Sequence, residues 1–302
     1  MQKHTTQRVL AVLLLAAIAV LGLSVSAQAK LTGNYVKFAQ CPYKNEELNK
    51  CIYSVTESGE VVLGSKKVPI VNPVVLQGGY GEGIEEKEGA EFAKFYGASN
   101  GETLSKTPQP VPGGLAGLIN CKEISSLLLR FGCEAALENG VTGVNATLEL
   151  AKPASDIRVS ENNLAGEIGT ALQMPVKVHL ENPFLGSSCY VGSSSNPIIW
   201  NLTTGTTSPP PPNKPITGSP GEITFLEEGR IAEAKNSKLV DNAWSAPGVT
   251  GCGGAIVELL LDPVVDVSAG LPAPAGVNTA VLKGTLNVGS ALAILHNDEQ
   301  NP

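Results

Sequence analysis

The sequence predicts a mainly β chain: an antiparallel β-sandwich, or a barrel-like relative of one, with two short helices and long Gly/Pro-rich loops. Three observations carry that expectation. Apolar and polar residues alternate over several short runs, as they do along strands whose two faces meet different surroundings. The 33 glycines and 21 prolines punctuate those runs densely. No regular succession of strands and long helices points to a parallel sheet.

The N-terminus reads as a cleaved secretion signal over residues 1–29. Lys3, His4 and Arg8 lead into the apolar run 9–23, and Ala27-Gln28-Ala29 supplies the small-x-small cleavage pattern. That run is shorter than the roughly 20 residues a spanning helix needs. No later run reaches that length, so no transmembrane segment is expected after cleavage. Residues 30–302 are expected to form one β-rich domain.

Strand candidates follow at 35–39, 51–56, 60–63, 68–76, 92–96, 143–150, 174–181, 198–203, 222–225 and 280–288. The run 174–181 places Val176, Val178 and Leu180 on one face and Lys177, His179 and Glu181 on the other. In 280–288, Ala280, Leu282, Leu286 and Val288 point inward, and Val281, Lys283, Thr285 and Asn287 outward. The first helix is expected over 123–138, with apolar residues at Ile124, Leu127, Leu128, Phe131 and Ala135 and a stop at Asn139-Gly140. A second, over 255–267, contains Asp262-Pro263 and should be kinked or split. Two stretches read as loop insertions. Residues 78–91 carry glycines with Glu82, Glu85, Glu86, Glu88 and Glu91, and 208–221 contain the polyproline run 209–212.

The six cysteines suit an oxidising compartment. Cys41 and Cys51 bracket a polar turn between two strand-like runs, and their bridge is the safest pairing. Cys189 and Cys252 fit a long-range staple between loops. Cys121 and Cys133 pair only if the helix between them breaks, for instance at Gly132, or starts late. Twelve residues of helix span about 18 Å, against the roughly 4.4–6.8 Å of a disulfide. No short cysteine spacing suits zinc.

Charge excludes one class outright. The chain holds 21 Lys+Arg against 28 Asp+Glu, a net −7, and losing Lys3 and Arg8 with the signal makes it −9. Nucleic acid as a partner needs clustered bases, which this chain lacks. A search for catalytic patterns returns little. Gly97-Ala98-Ser99-Asn100-Gly101 matches the nucleophile-elbow string, making Ser99 the one serine-hydrolase candidate, but a polar proline-bearing stretch follows it in place of a helix. Gly78-Gly79-Tyr80-Gly81-Glu82-Gly83 lacks the glycine spacing of a phosphate cradle. The acids beside it have no calcium-loop ladder. Glu227 and Glu228 would point to opposite faces of a strand, so neither they nor Glu181 make a glycosidase pair. Asn145-Ala146-Thr147 and Asn201-Leu202-Thr203 fit the glycosylation pattern and read as strand residues. Trp200 is expected in the core, while Trp244 in the loop-like 241–254 and Tyr190 are candidates for a sugar- or ligand-stacking platform. No cofactor is expected.

The phrase Val178-His179-Leu180-Glu181-Asn182-Pro183-Phe184-Leu185-Gly186-Ser187-Ser188-Cys189-Tyr190 carries a resemblance, together with 201–207, the prolines 209–212, Val240-Asp241-Asn242 and Gly251-Cys252-Gly253. With these the chain resembles a family of uncharacterised secreted proteins from high-GC Gram-positive soil bacteria. The resemblance implies a location and supplies no activity or functional residue. The expectation is a secreted, non-enzymatic protein with a structural or interaction role in the cell envelope or extracellular space, its partner a cell-surface polymer or protein. A glycan-binding module is the alternative, and a hydrolase using Ser99 the second.

Overall fold

The computed structural model describes residues 30–87, 90–255 and 257–301. The signal-like segment 1–29 and Glu88 lie outside them. The strands are β1 (Leu48–Leu63), β2 (Lys66–Pro69), β3 (Val74–Lys87), β4 (Ala90–Gly97), β5 (Pro108–Pro110), β6 (Asn145–Leu150) and β7 (Arg158–Val159). They continue with β8 (Leu172–Glu181), β9 (Tyr190–Val191), β10 (Ile198–Leu202), β11 (Glu222–Leu226), β12 (Ile231–Asp241), β13 (Val249–Thr250) and β14 (Thr279–Ser290). Among the described residues five α-helices accompany them, where two were expected: α1 (Gly114–Leu118), α2 (Leu127–Glu138), α3 (Glu161–Gly166), α4 (Glu258–Ala269) and α5 (Ala291–Gln300).

All fourteen strands belong to one antiparallel sheet, ordered β11-β12-β14-β1-β3-β4-β7-β8-β6-β5, with β2, β9, β10 and β13 paired beside that path. β8 is the junction. β7 and β6 share one of its edges, and β10 and β9 share the other. One isolated bridge, Thr203 with Val240, brings the end of β10 to β12 through two backbone hydrogen bonds of 2.9 Å. Neighbours can therefore be followed from β8 through β10, β12, β14, β1, β3, β4 and β7 back to β8. The ring is barrel-like, but its ladder stays open where only that bridge spans it. Residues of β1, β3, β12 and β14 surround the same interior as residues of β6, β8 and β10, which is the sandwich-like face-to-face arrangement.

Local sequence explains most of this. β8 buries Val176, Val178 and Leu180 and leaves Lys177, His179 and Glu181 half-buried on its other face. β10 alternates buried and exposed residues without exception, with Trp200 inward. The pattern in β14 departs from expectation at Asn287, which is buried on the outward face. Its Oδ1 accepts a hydrogen bond of 2.8 Å from Lys37 Nζ. A second, smaller core explains it: Tyr35, Phe38, Cys51, Ile231 and Ile294 pack together outside the main interior, so the outer face is covered there.

Several other expectations are corrected. Residues 35–39 are not a strand: 35–38 lie in a 3-10 helix, Gly33–Phe38, which buries Tyr35 and Phe38 at a spacing of three, and Ala39 is its C-cap. Candidates 51–56 and 60–63 are one long strand with a bulge between Thr56 and Ser58. Candidate 68–76 divides into β2 and the start of β3. The expected loop at 78–91 is largely strand: Gly78–Lys87 continues β3 and pairs with β4, with a register shift between Gly81 and Ile84. Its glycines serve close approach, since a Cβ on Gly81 would sit 2.1 Å from the Glu47 carbonyl oxygen. The other expected loop, 208–221, is irregular and crosses from β10 to β11. Asn213 pins it by donating to the carbonyls of Asn242 and Asn278.

The two expected helices also differ in detail. α2 starts late, at Leu127, after a separate 3-10 turn over Cys121–Glu123. Its Leu127, Leu128 and Phe131 point outward and are at least 71% exposed, while Cys133 faces the core. α4 is one helix, without a break at Pro263. It begins at Glu258, so Pro263 deprives only the carbonyl of the well-exposed Leu259 of an intrahelical donor.

Candidate functional site

The cysteines build the frame around the interior. Cys41–Cys51, Cys121–Cys133 and Cys189–Cys252 are disulfides with Cα separations of 5.7, 5.6 and 4.1 Å. The late start of α2 is what permits the second: Cys121 lies on the 3-10 turn before the helix, so the two Cα atoms are not separated by helical rise. Cys189–Cys252 joins the segment before β9 to the segment after β13, and both sulfurs belong to the main core. The Asp262 carboxylate on α4 accepts from the backbone N–H groups of Gly251 and Cys252, at 3.1 and 2.8 Å. Asp266, one turn on, accepts from Val249 at 2.7 Å. Burial raises the Asp266 carboxyl above the ordinary aspartate range, the Val249 N–H opposes this, and Asp262 adds to it.

Trp244 does not form a platform. It is 4% exposed, and its ring meets Trp200 edge-on with centroids 6.1 Å apart. The loop-like reading missed that 241–254 folds over the interior. Trp244 Nε1 donates to the Asp241 carbonyl at 3.3 Å, and the Trp244 carbonyl accepts from Asn278 Nδ2 at 3.0 Å. The Asp241 carboxylate in turn accepts from Asn201 and Ala243 N–H groups. Burial dominates and raises its pKa, against the lowering effect of those two hydrogen bonds.

Tyr190 lies on the outer face, paired across strands with His179. The two rings stack with centroids 4.4 Å apart, and Lys177 Nζ sits 4.0 Å from the Tyr190 centroid. Glu149 faces Lys177 at 3.4 Å and His179 Nδ1 at 3.8 Å. Burial, then the Glu149 and Glu181 carboxylates, push the Tyr190 phenol up. His179 Nε2 is buried without a hydrogen-bond partner. The Tyr190 ring is thus already engaged by neighbouring side chains.

Ser99 lacks the setting of a nucleophile. It sits in an exposed turn after β4, outside the positive-φ conformation of a nucleophile elbow, and no helix follows. Its backbone N–H donates to the Gln40 carbonyl at 2.8 Å. His179 is occupied on the Tyr190 face, and His296 lies on α5. Glu227 and Glu228 form the tight turn between β11 and β12 and reach Asn34 and Arg230. Among the described residues, no group of three or more His, Cys, Asp or Glu side chains could hold a metal ion.

The feature missed at the level of sequence is a cavity of about 100 Å³ inside the barrel-like ring, partly open to solvent and almost wholly apolar. Val61, Leu63 and Val68 come from the β1–β2 hairpin, Leu148 from β6, Leu239 from β12 and Leu282 from β14. All six pack against the main core yet remain only half-buried. Their inward placement is legible from alternation; that they fail to fill the space between them is not. At about 24 cal/mol per Å³, such a void costs on the order of 2 kcal/mol. No protein-family model, no curated protein and no solved structure matches the chain.

Proposed function

We propose that this is an exported, disulfide-held protein that acts by binding in the cell envelope or extracellular space, without catalysis of its own. One observation carries the reading: all six cysteines are paired, and one pair staples the loops that close over the interior. Disulfides persist where thiols are not kept reduced. The signal-like N-terminus and the resemblance to secreted soil-bacterial proteins support the same location. Within the described residues, the only elbow-like serine has no hydrogen-bonded base, and the concave interior is lined mostly by hydrocarbon. A binding role follows from that chemistry, with a cell-surface polymer, protein or envelope component as partner.

The test is intact mass after alkylation, with and without reduction, on protein recovered from the producing cells. The expected result is an extracytoplasmic form shortened by residues 1–29 that takes up no alkylating agent until reduced. More than two free thiols, or a cytoplasmic full-length form, contradicts the reading. A fluorophosphonate probe is expected to leave Ser99 unlabelled in folded protein; labelling there revives the hydrolase alternative.

A further inference from the structure

We propose that the cavity within the barrel-like ring is a binding site for a small uncharged apolar molecule, about one ring in size, that carries a single oxygen. The inference deepens the binding role above and rests on it. Size argues first: the cavity holds about 100 Å³. An enclosed dry apolar cavity of about 150 Å³ takes up benzene; this one is smaller but partly open, so a single ring fits with part of it in the mouth. Rings of about eight strands leave an interior that side chains fill or that holds one small ligand. Here the side chains do not fill it.

Lining chemistry selects the ligand class. A sugar would leave its hydroxyls unpaired against Leu148, Leu239 and Leu282, and a charged group would be desolvated without a counter-ion. The polar atoms present are few. Gln109 lines the cavity, but its amide is spent on Val71, Asn72 and Thr107 backbone groups. Thr107 shares a hydrogen bond with Ser105. Ser54 and Thr56, two apart on β1 and hence on one face, also line it, and no hydrogen bond within the described chain uses either hydroxyl. Trp200 lines the cavity as well, is 1% exposed, and its Nε1–H has no partner. A ligand oxygen would answer that unspent capacity, and a hydrocarbon body would cover the six half-buried aliphatic side chains.

The experiment is a tryptophan-fluorescence titration of the oxidised chain with cyclohexane, cyclohexanol and glucose. Trp200 reports directly, and none of the three probes absorbs in its range. The expected result is saturable binding of both ring compounds with Kd below about 1 mM. Cyclohexanol should bind about three- to tenfold tighter, the worth of one hydrogen bond. Glucose should give no response. Leu148→Phe should abolish binding by filling the void; Leu282→Phe fills it from the facing half if the first variant does not fold. Thr56→Val should remove the advantage of cyclohexanol and leave cyclohexane unchanged.

Folded, oxidised protein that binds neither ring compound overturns the site, while the disulfide and location results above stand independently. Glucose binding with silent ring compounds overturns the ligand class. Unchanged binding in a folded filled variant overturns the location, and equal affinity for the two ring compounds overturns the oxygen handle.

Discussion

The two ends of one hydrophobic interior are built differently. Around the tryptophan pair the side chains are closed down: Trp200, Leu202, Leu185, Cys189 and Cys252 are each at most 1% exposed. A polar frame of Asp241, Asn242, Asn278 and Asn213 ties the covering loops by backbone hydrogen bonds. Across the same core, Val61, Leu63, Val68, Leu148, Leu239 and Leu282 surround a void. Apolar side chains line both ends, so hydrophobic lining alone does not distinguish them. Loops, a disulfide and buried amides cover the first, whereas the second is bounded mainly by strands, with Ile70, Leu104 and Thr107 from the segments between them. Packing density is set by what covers a sheet as well as by which face is apolar.

The largest expected effect is at the closed end. Trp244→Ala removes a ring lodged against Trp200 and the partner of the Asp241 carbonyl, so it should cost about 3–5 kcal/mol, toward the upper value. Urea unfolding measures it; a loss below about 1 kcal/mol would mean the two ends are packed alike. Replacing Cys189 and Cys252 together by Ser frees a loop with a sequence separation of 63. Chain-entropy reasoning gives a loss of about 4 kcal/mol, against about 3 kcal/mol for the shorter Cys121–Cys133 loop. Equal effects of the two pairs by calorimetry would remove the staple from the explanation.

At the open end the sign reverses. Leu148→Phe adds volume to existing space and should raise stability by about 0.5–2 kcal/mol, where the same exchange in a filled core costs about 1–3 kcal/mol. The smallest effect concerns pH. Burial raises the folded pKa of Asp241, so within the window from the ordinary value near 4 up to that raised value the folded state binds more protons than the unfolded one. Its contribution is fully present below that window and is lost as pH rises through it. Asp241→Asn should therefore lose less stability than the parent between pH 4 and pH 7, compared by urea midpoints. A steeper loss in the variant would contradict the burial assignment.

How much of this was legible depends on the kind of pattern involved. Period two is uninterrupted in β10 and holds in β8 from Val176 onward, and there the inward faces follow directly from the residues. β12 went unseen because a bulge between Ala234 and Ser237, with Asn236 at φ 56°, breaks its period. Glycines in β3 resemble a loop because the signal for close backbone approach is the same as the signal for flexibility. Ser290 is a helix cap, accepting from Ala293 N–H at the start of α5, but the polar tail of that helix masked it. Trp244 was misplaced because burial under folded-over loops is a long-range property. The cavity belongs to no residue pattern at all, since it is the space that the strands around it and their loops leave between them.

The most direct measurement is methyl NMR of the oxidised chain saturated with cyclohexane. Nuclear Overhauser contacts from the ligand to methyl groups of Leu148, Leu239 and Leu282, with none to Leu185, Leu202 or Leu261, are the expected result. Contacts to the second group, or to neither, would contradict an apolar binding site beside a closed core.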